Sequence, residues 1–242
     1  MTKGFIDIHC HILPGLDEGA STIGESLRML QIARDDGIAG IVATPHIMNG
    51  TYKNTREIVV KAISELQRVA DDTPPVYVGA EIRICRDLAH RIRTHELPLI
   101  NDGRYILIEL PPYVLPPVPV LEGIVKSLGE DNITVIFAHP ERNDVLLRYL
   151  PIMERLVGCG ALFQVTAMSI TNHFGSDIRK VALRMIRKKY VHVVATDAHD
   201  GKDRSPLLSD AYRKISKEFG EDEAQRLFIR NPLRIIEGEC AE

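Results

Sequence analysis

The sequence predicts a parallel α/β architecture, most simply a barrel of about seven strand–helix units. Short apolar, β-branched segments recur along the 242 residues. Several are continuously apolar, as strands buried on both faces are. Stretches with helical spacing lie between them. An open doubly wound sheet is the alternative arrangement. With 45% hydrophobic and 26% charged residues and no low-complexity linker, a single domain over residues 1–242 is expected.

The first strand segment is FIDIH (5–9). A helix follows from Thr22 to Asp36: Thr22 and Glu25 have capping-box spacing, Leu27, Leu30 and Ala33 share a face, and Gly37 is the stop. GIVATPH (40–46) precedes a helix over about 55–70, whose stripe is Ile58, Val59, Ala62, Ile63, Leu66 and Val69. VYVGAE (76–81) and YILIEL (105–110) come next, the latter running into PPYVLPPVPVL (111–121). Five prolines stiffen that stretch and predict a rigid rim, with Tyr113 and Val114 placed to hold an extended peptide. ITVIFAHP (133–140), ALFQVTA (161–167) and HVVATDAH (192–199) complete the seven segments. Further helices are expected to begin near Asn143, Ser176 and Ser205, and Asn231-Pro232 has the form of a cap followed by proline at the first helical position.

Composition excludes several roles. A formal charge of -3, with basic residues scattered among acids, offers no field for nucleic acid. Asp7, His9 and His11 interrupt the first apolar run, so no signal peptide is expected. No apolar run approaches the ~20 residues of a bilayer span, so a cytoplasmic protein without membrane insertion is expected. Cysteines at 10, 85, 159 and 240 have no C-x-x-C spacing and are expected to be free thiols.

Chemistry gathers at the carboxyl ends of the strand segments. His9 and His11, His46, Glu81, Glu109, His139, then Asp197 and His199 all fall there. In a parallel barrel those ends open on one face, where sites are built. One strand-end histidine is most simply structural; five of nine histidines at equivalent points of successive units are not. His90, His95, His173 and His192 lack that position and are expected to be structural, with His173, in the polar loop SITNHFGS, a candidate for the pocket rim. Imidazole nitrogen with carboxylate oxygen, and no thiolate, suits Mn, Fe or Zn better than Mg or Ca. The donors exceed what one ion can use, so two or three ions are expected. Closely spaced ions acidify a bound water and clamp the oxygens of a displacement.

Arg142 lies three residues beyond His139, and Arg204 five beyond His199. Guanidinium forks match phosphate oxygens, which favours phosphate ester hydrolysis over amide or lactone hydrolysis. His46 or His199 is a candidate proton donor to the leaving group. Cys85 and Arg91 also have the C-x5-R spacing of cysteine phosphatases, but the residues between them include no glycine to wrap a phosphate.

DIHCHILPGLDEGA, TPH, GAEIR, ELP, AHPERN and TDAH with RSP together resemble the polymerase and histidinol phosphatase (PHP) superfamily. The resemblance spans residues 5 to about 206 and is nearest to the bacterial tyrosine-protein phosphatase branch of capsule and exopolysaccharide synthesis. It implies a distorted (β/α)7 barrel with three ions, usually manganese. His9, His11, Glu81 and Asp197 would hold the first, and Glu81, Glu109 and His139 the second. Glu18, His46 and His199 would hold the third, and Arg142 and Arg204 would grip the phosphate. Glu18 stands where the family usually has aspartate, and Asp17 is an alternative source of that carboxylate. The implied partner is a phosphotyrosine-bearing protein, specifically a membrane-associated tyrosine autokinase. Alternatives are a phosphatase of a small metabolite such as histidinol phosphate, and a non-catalytic metal-binding regulatory module.

Overall fold

The structure, a computed structural model, describes residues 4–48, 50–85, 87–111, 113–148 and 151–241, without the side chains of 147 and 148. Strands β1 (Phe5–Cys10), β2 (Ile38–Ala43), β3 (His46–Ile47), β4 (Val76–Val78), β5 (Glu81–Arg83), β6 (Tyr105–Glu109), β7 (Thr134–Ala138), β8 (Leu162–Thr166) and β9 (Val193–Ala195) pair only in parallel among the described residues. They form a sheet of order β1-β2-β4 and a second of order β3-β5-β6-β7-β8-β9.

Two of the seven predicted segments are each broken into two strands. Pro45 has no N–H for the ladder, so 40–46 becomes β2 and β3, and the Pro45 carbonyl accepts from Glu81 N at 3.2 Å. The next segment breaks at Gly79, where a Cβ would lie 2.5 Å from Val42 Cγ1. β2 and β3 are thus the lower and upper parts of one stave, and β4 and β5 of the next, which is why the ladder divides into two sheets there. Between β9 and β1 there is no regular ladder. The chain just past β9 joins β1 through Asp197 N to His9 O and His11 N to Ala198 O, both 2.8 Å. Below this seam, buried Asp7 accepts from Thr196 N at 2.9 Å and Thr196 Oγ1 at 2.5 Å.

Side-chain alternation sorts the strands into two layers. On β6 to β9, Ile106, Ile108, Val135, Phe137, Phe163, Val165 and Val194 face the helices. Leu107, Ile136, Leu162 and Val193 fill the barrel interior, plugged from below by Ile100, Ile235 and Ile236. Further along, at the upper end, polar groups Glu109 and Gln164, two residues past Leu107 and Leu162, and Asp197, four past Val193, replace apolar ones.

The helices are α1 (Ile23–Asp35), α2 (Arg56–Val69), α3 (Leu88–Arg93), α4 (Val118–Glu130), α5 (Asp144–Arg148), α6 (Pro151–Gly158), α7 (Ala167–Ile170), α8 (Ser176–Arg187), α9 (Ser209–Phe219), α10 (Glu221–Gln225) and α11 (Asn231–Glu237). Several expectations are corrected. Thr22 Oγ1 caps α1 by accepting from Glu25 N at 3.2 Å, but the Glu25 carboxylate turns to Ser21 N and Oγ instead of completing the box. On α2, Val59, Ile63 and Leu66 are buried, whereas Ile58 and Val69 are 40% and 48% exposed. The proline-rich rim is short, because α4 starts at Val118 with Pro119 in its first turn, where a missing N–H is harmless; Pro112 lies outside the described residues. The helix expected near Ser205 begins at Ser209, capped by Asp36. Asn231 is no cap: the chain passes through a wide helical turn at Arg226–Arg230 straight into α11. Widening accommodates Pro232, and the Asn231 side chain donates to His192 O at 2.8 Å.

Candidate metal centre

The upper end of the staves carries His9, His11, Glu81 and Asp197, four buried groups whose donor atoms lie within 4.8 Å of one another. His9 Nε2 and His11 Nε2 face each other at 3.2 Å. Each lies 3.3–3.4 Å from Glu81 Oε2 and Asp197 Oδ1. Donors about 2.1 Å from one shared tetrahedral centre are about 3.4 Å apart, which matches these separations.

Proton placement points the same way. His11 Nδ1 sits 2.7 Å from Asp17 Oδ2, an acceptor, so the proton of a neutral His11 is there and its Nε2 is bare. His9 Nδ1 lies 2.9 Å from Gln164 Oε1, which places its proton likewise. Two bare nitrogens at 3.2 Å repel unless positive charge lies between them. Burial alone would lower the pKa of His11, but Asp17, Asp197 and Glu81 raise it well above the usual imidazole value. Burial would likewise raise Asp197 and Glu81, yet Arg142 and His9 beside Asp197, and His9 and His139 beside Glu81, hold the two carboxyls well below the usual range. Buried carboxylates demand compensating positive charge, and a divalent cation supplies it. The residues therefore fit a metal.

A second group, His46, Glu81 and Glu109, shares Glu81 with the first. Glu81 Oε2 is 3.2 Å from His46 Nδ1, and Glu81 Oε1 is 2.6 Å from His139 Nε2. Buried His46 Nδ1 has no hydrogen-bond partner among the described residues; Glu109 Oε2 touches Arg83 Nη2 at 2.8 Å without hydrogen-bond alignment. Burial and the charge of Glu81 raise the Glu109 pKa. Glu18 stands at the open rim, its Oε1 2.9 Å from His46 Nε2 and 4.0 Å from His199 Nε2. His199 Nδ1 lies 2.9 Å from Asp197 O. Burial and the nearby His11 push the His199 pKa down to about 3, leaving a neutral ring with bare Nε2. The nine residues predicted from the sequence thus converge on one end of the barrel, with His46 flanked by carboxylates on both nitrogens.

Backbone turns make this convergence. His139 and Asp197 adopt left-handed conformations, with φ 32° and 52°, at the points where β7 and β9 end. Gly19 lets the LDEG loop fold back onto β1, since a Cβ there would fall 2.1 Å from His11 O. Arg142 and Arg204 both reach Asp197 Oδ2, Arg204 Nη2 at 2.7 Å, and the Arg142 guanidinium lies 5.1 Å from the Phe174 ring centre. Asp200 Oδ1 accepts from the backbone N–H groups of Lys202, Asp203 and Arg204, which fixes the turn presenting Arg204. A cavity of about 220 Å³ opens here, lined by Glu18, His46, Glu109, His139, Arg142 and Arg204 among others.

Sequence reasoning missed two supports, Gln164 and Arg83, and expected the third, Asp17, as an alternative ligand. Asp17 is turned away from the ions' space: it orients His11 and accepts from His46 N at 3.0 Å and Gly19 N at 2.9 Å. Gln164 lies inside the segment ALFQVTA, where the signal is a polar side chain on the inward register of an otherwise apolar strand, and Arg83 lies two residues beyond the segment VYVGAE, on the same face of β5 as Glu81. Of the remaining histidines, His90 is on α3, His95 and His192 are remote, and His173 packs on Phe174 with 5.1 Å between ring centres, beside the rim. Cys85 is unlike a phosphatase nucleophile: burial and Asp87 push its thiol up to about 11, and Arg91 is engaged by Asp87 and Glu96. Arg86, within that motif, lies outside the described residues.

A parallel barrel-like fold with a buried histidine–carboxylate cluster at its upper mouth defines a metal-dependent hydrolase class. Lactonase Lmo2620 from Listeria monocytogenes shares the fold alone, at TM-score 0.58 and 12% identity over 97% of this chain and 95% of that one. Residues 5–237 match the family described as "Capsular polysaccharide synthesis, CpsB/CapC", and the chain belongs to that family. It is 36% identical over 235 residues to tyrosine-protein phosphatase YwqE of Bacillus subtilis, covering 93% of this chain and 92% of that protein. Tyrosine-protein phosphatase CpsB of Streptococcus pneumoniae is 31% identical over 240 residues, 96% and 98% of the two chains. A crystal structure described with YwqE and CpsB as "unique metal-dependent tyrosine phosphatases" superimposes at TM-score 0.93, with 34% identity over 98% of this chain and 96% of that one.

Proposed function

We propose that this chain is a metal-dependent protein-tyrosine phosphatase, a single cytoplasmic domain over residues 1–242 that uses two or three Mn2+ ions. Its substrate would be a phosphotyrosine-bearing protein, in the first place a membrane-associated tyrosine autokinase of capsule or exopolysaccharide synthesis. The observation that carries this reading is the convergence of Arg142 and Arg204 on Asp197 beside the histidine–carboxylate cluster. The named activities of YwqE and CpsB support it. Among the described residues, no helix is long and apolar enough to cross a membrane.

His9, His11, Glu81 and Asp197 would hold one ion, Glu81, Glu109 and His139 a second, and Glu18, His46 and His199 a third. Bound cations would supply an acidified water and stabilise charge on the phosphoryl oxygens. Arg142 and Arg204 already touch one carboxylate oxygen, and a phosphate entering the cavity gives their forks a dianion to hold instead. Phe174 supports the Arg142 plane from behind. A tyrosine leaving group, with free pKa ~10, departs with little protonation. Where a proton is needed and no third ion occupies the rim, we assign its delivery to His46, whose Nε2 lies beside Glu18 there. His199, neutral and tied through Nδ1 to Asp197 O, is suited to coordination instead.

The test is a panel of phosphotyrosine peptide, phosphoserine peptide, histidinol phosphate and a nucleotide, each with Mn2+ and with chelator. Preference for the first, lost in chelator, is expected. Preference for histidinol phosphate would replace this reading with a metabolite phosphatase, and Mn2+ binding without turnover of any substrate would leave a regulatory module.

A further inference from the structure

Gln164 is fully buried on the inward register of β8. Its amide orientation follows from the backbone: His139 N–H can only donate, and it lies 3.4 Å from Oε1. The same Oε1 is 2.9 Å from His9 Nδ1, so Nδ1 carries the His9 proton and Nε2 is bare toward His11. One neutral amide oxygen therefore serves two strand ends, those of β1 and β7.

We propose that Gln164 is a positioning residue for cation binding: it fixes the tautomer and ring plane of His9 and, through the His139 peptide, keeps the two donor sets in register. This rests on the metal reading above. Asp17 plays the matching part for His11 with a carboxylate. Gln164 does it without adding charge to an interior that already buries Glu81 and Asp197. Its buried Nε2 has no hydrogen-bond partner among the described residues, so it is the oxygen, not the amide as a whole, that the site uses.

The oxygen can be separated from the bulk by substitution. Gln164→Met keeps the size and removes the acceptor; Gln164→Asn keeps an amide but cannot reach His9; Gln164→Glu keeps the reach and the acceptor. Mn2+ titrated calorimetrically into the metal-free full chain should bind about 10–100-fold more weakly to the Met and Asn variants, the usual cost of losing an outer partner of a ligand histidine. Gln164→Glu, which keeps the acceptor but buries a further charge beside Glu81 and Asp197, should lose less affinity than the Met and Asn variants, and the Met variant should regain wild-type kcat at saturating Mn2+. Should the Met variant fail to fold, the Asn and Glu variants carry the same comparison. Wild-type affinity in both the Met and Asn variants, or equal losses in Met and Glu, would overturn the proposal. Absence of Mn2+ binding by the wild-type chain would instead overturn the metal reading itself.

Discussion

Arg204 Nη2 donates to Asp197 Oδ2 at 2.7 Å, so the guanidinium suited to a phosphate is engaged by a carboxylate that also faces His9 and His11. Arg142 reaches the same oxygen through its own Nη2. Both arginines thus have a charged resting partner at the cavity wall, and neither must be ordered from solvent when substrate arrives. Pre-ordered donors of this kind act in the transition state at little reorganisation cost.

Arg142→Ala and Arg204→Ala are each expected to lower kcat/KM on a phosphotyrosine peptide by about 10²–10³, the cost of one lost charge-stabilising donor. Lysine at either position keeps the charge without the fork and should fall between. Metal content measured on the same samples decides the interpretation. Full metal content with lost turnover assigns the arginines to phosphate; loss of metal would mean that they chiefly hold Asp197 in place.

Asp17→Asn should weaken Mn2+ binding about 10–100-fold although Asp17 faces away from the ions' space, because it orients His11. Glu18→Gln should impair only the most weakly held fraction, since Glu18 is rim-exposed and contacts only His46 and His199 within the cluster. Titration of the two variants side by side checks this ordering. A larger effect at Glu18 would reverse the roles assigned to the neighbouring acids.

The donors were legible in the sequence because parallel staves end on one face, so His46, Glu81, Glu109 and His139 could be matched by position alone. Their supports were less so. Nothing local marks Gln164 until the inward register of β8 is known, since FQVT is compatible with either face. The break at Gly79 was concealed for a related reason, since Val78 and Ala80 keep the run apolar across it, whereas Pro45 falls between Thr44 and His46 at the end of its segment. Asn231 misled because a cap-like Asn-Pro pair was absorbed by a widened helical turn, an outcome set by tertiary packing on His192 rather than by propensity.

Cys85→Ser is expected to retain full phosphatase activity. The thiol, held at about 11 by burial and Asp87, is protonated at neutral pH, and its Sγ lies 3.8 Å from Met48 Sδ. A thiolate phosphatase mechanism needs the opposite environment. Steady-state kinetics on the phosphotyrosine peptide suffice, and complete loss of turnover with metal still bound would overturn the metal assignment.

His192, away from the metal centre, sets an acid limb of stability. Its Nδ1 accepts from Phe163 N at 3.3 Å, and burial, helped by Arg226, pushes its pKa down from 6.5 to about 4. The folded chain therefore holds this ring neutral while the unfolded chain protonates it near 6.5. A base depressed in the folded state contributes its full stability above 6.5 and loses it as pH falls toward 4. From pH 7.5 to pH 5 the loss is about 2 kcal/mol, at about 1.4 kcal/mol per unit of pKa difference. His192→Gln cannot protonate and should show a correspondingly flatter slope. Urea unfolding of both chains at the two pH values, in excess chelator so that the metal centre enters equally, isolates the difference; equal slopes would show that His192 titrates alike folded and unfolded.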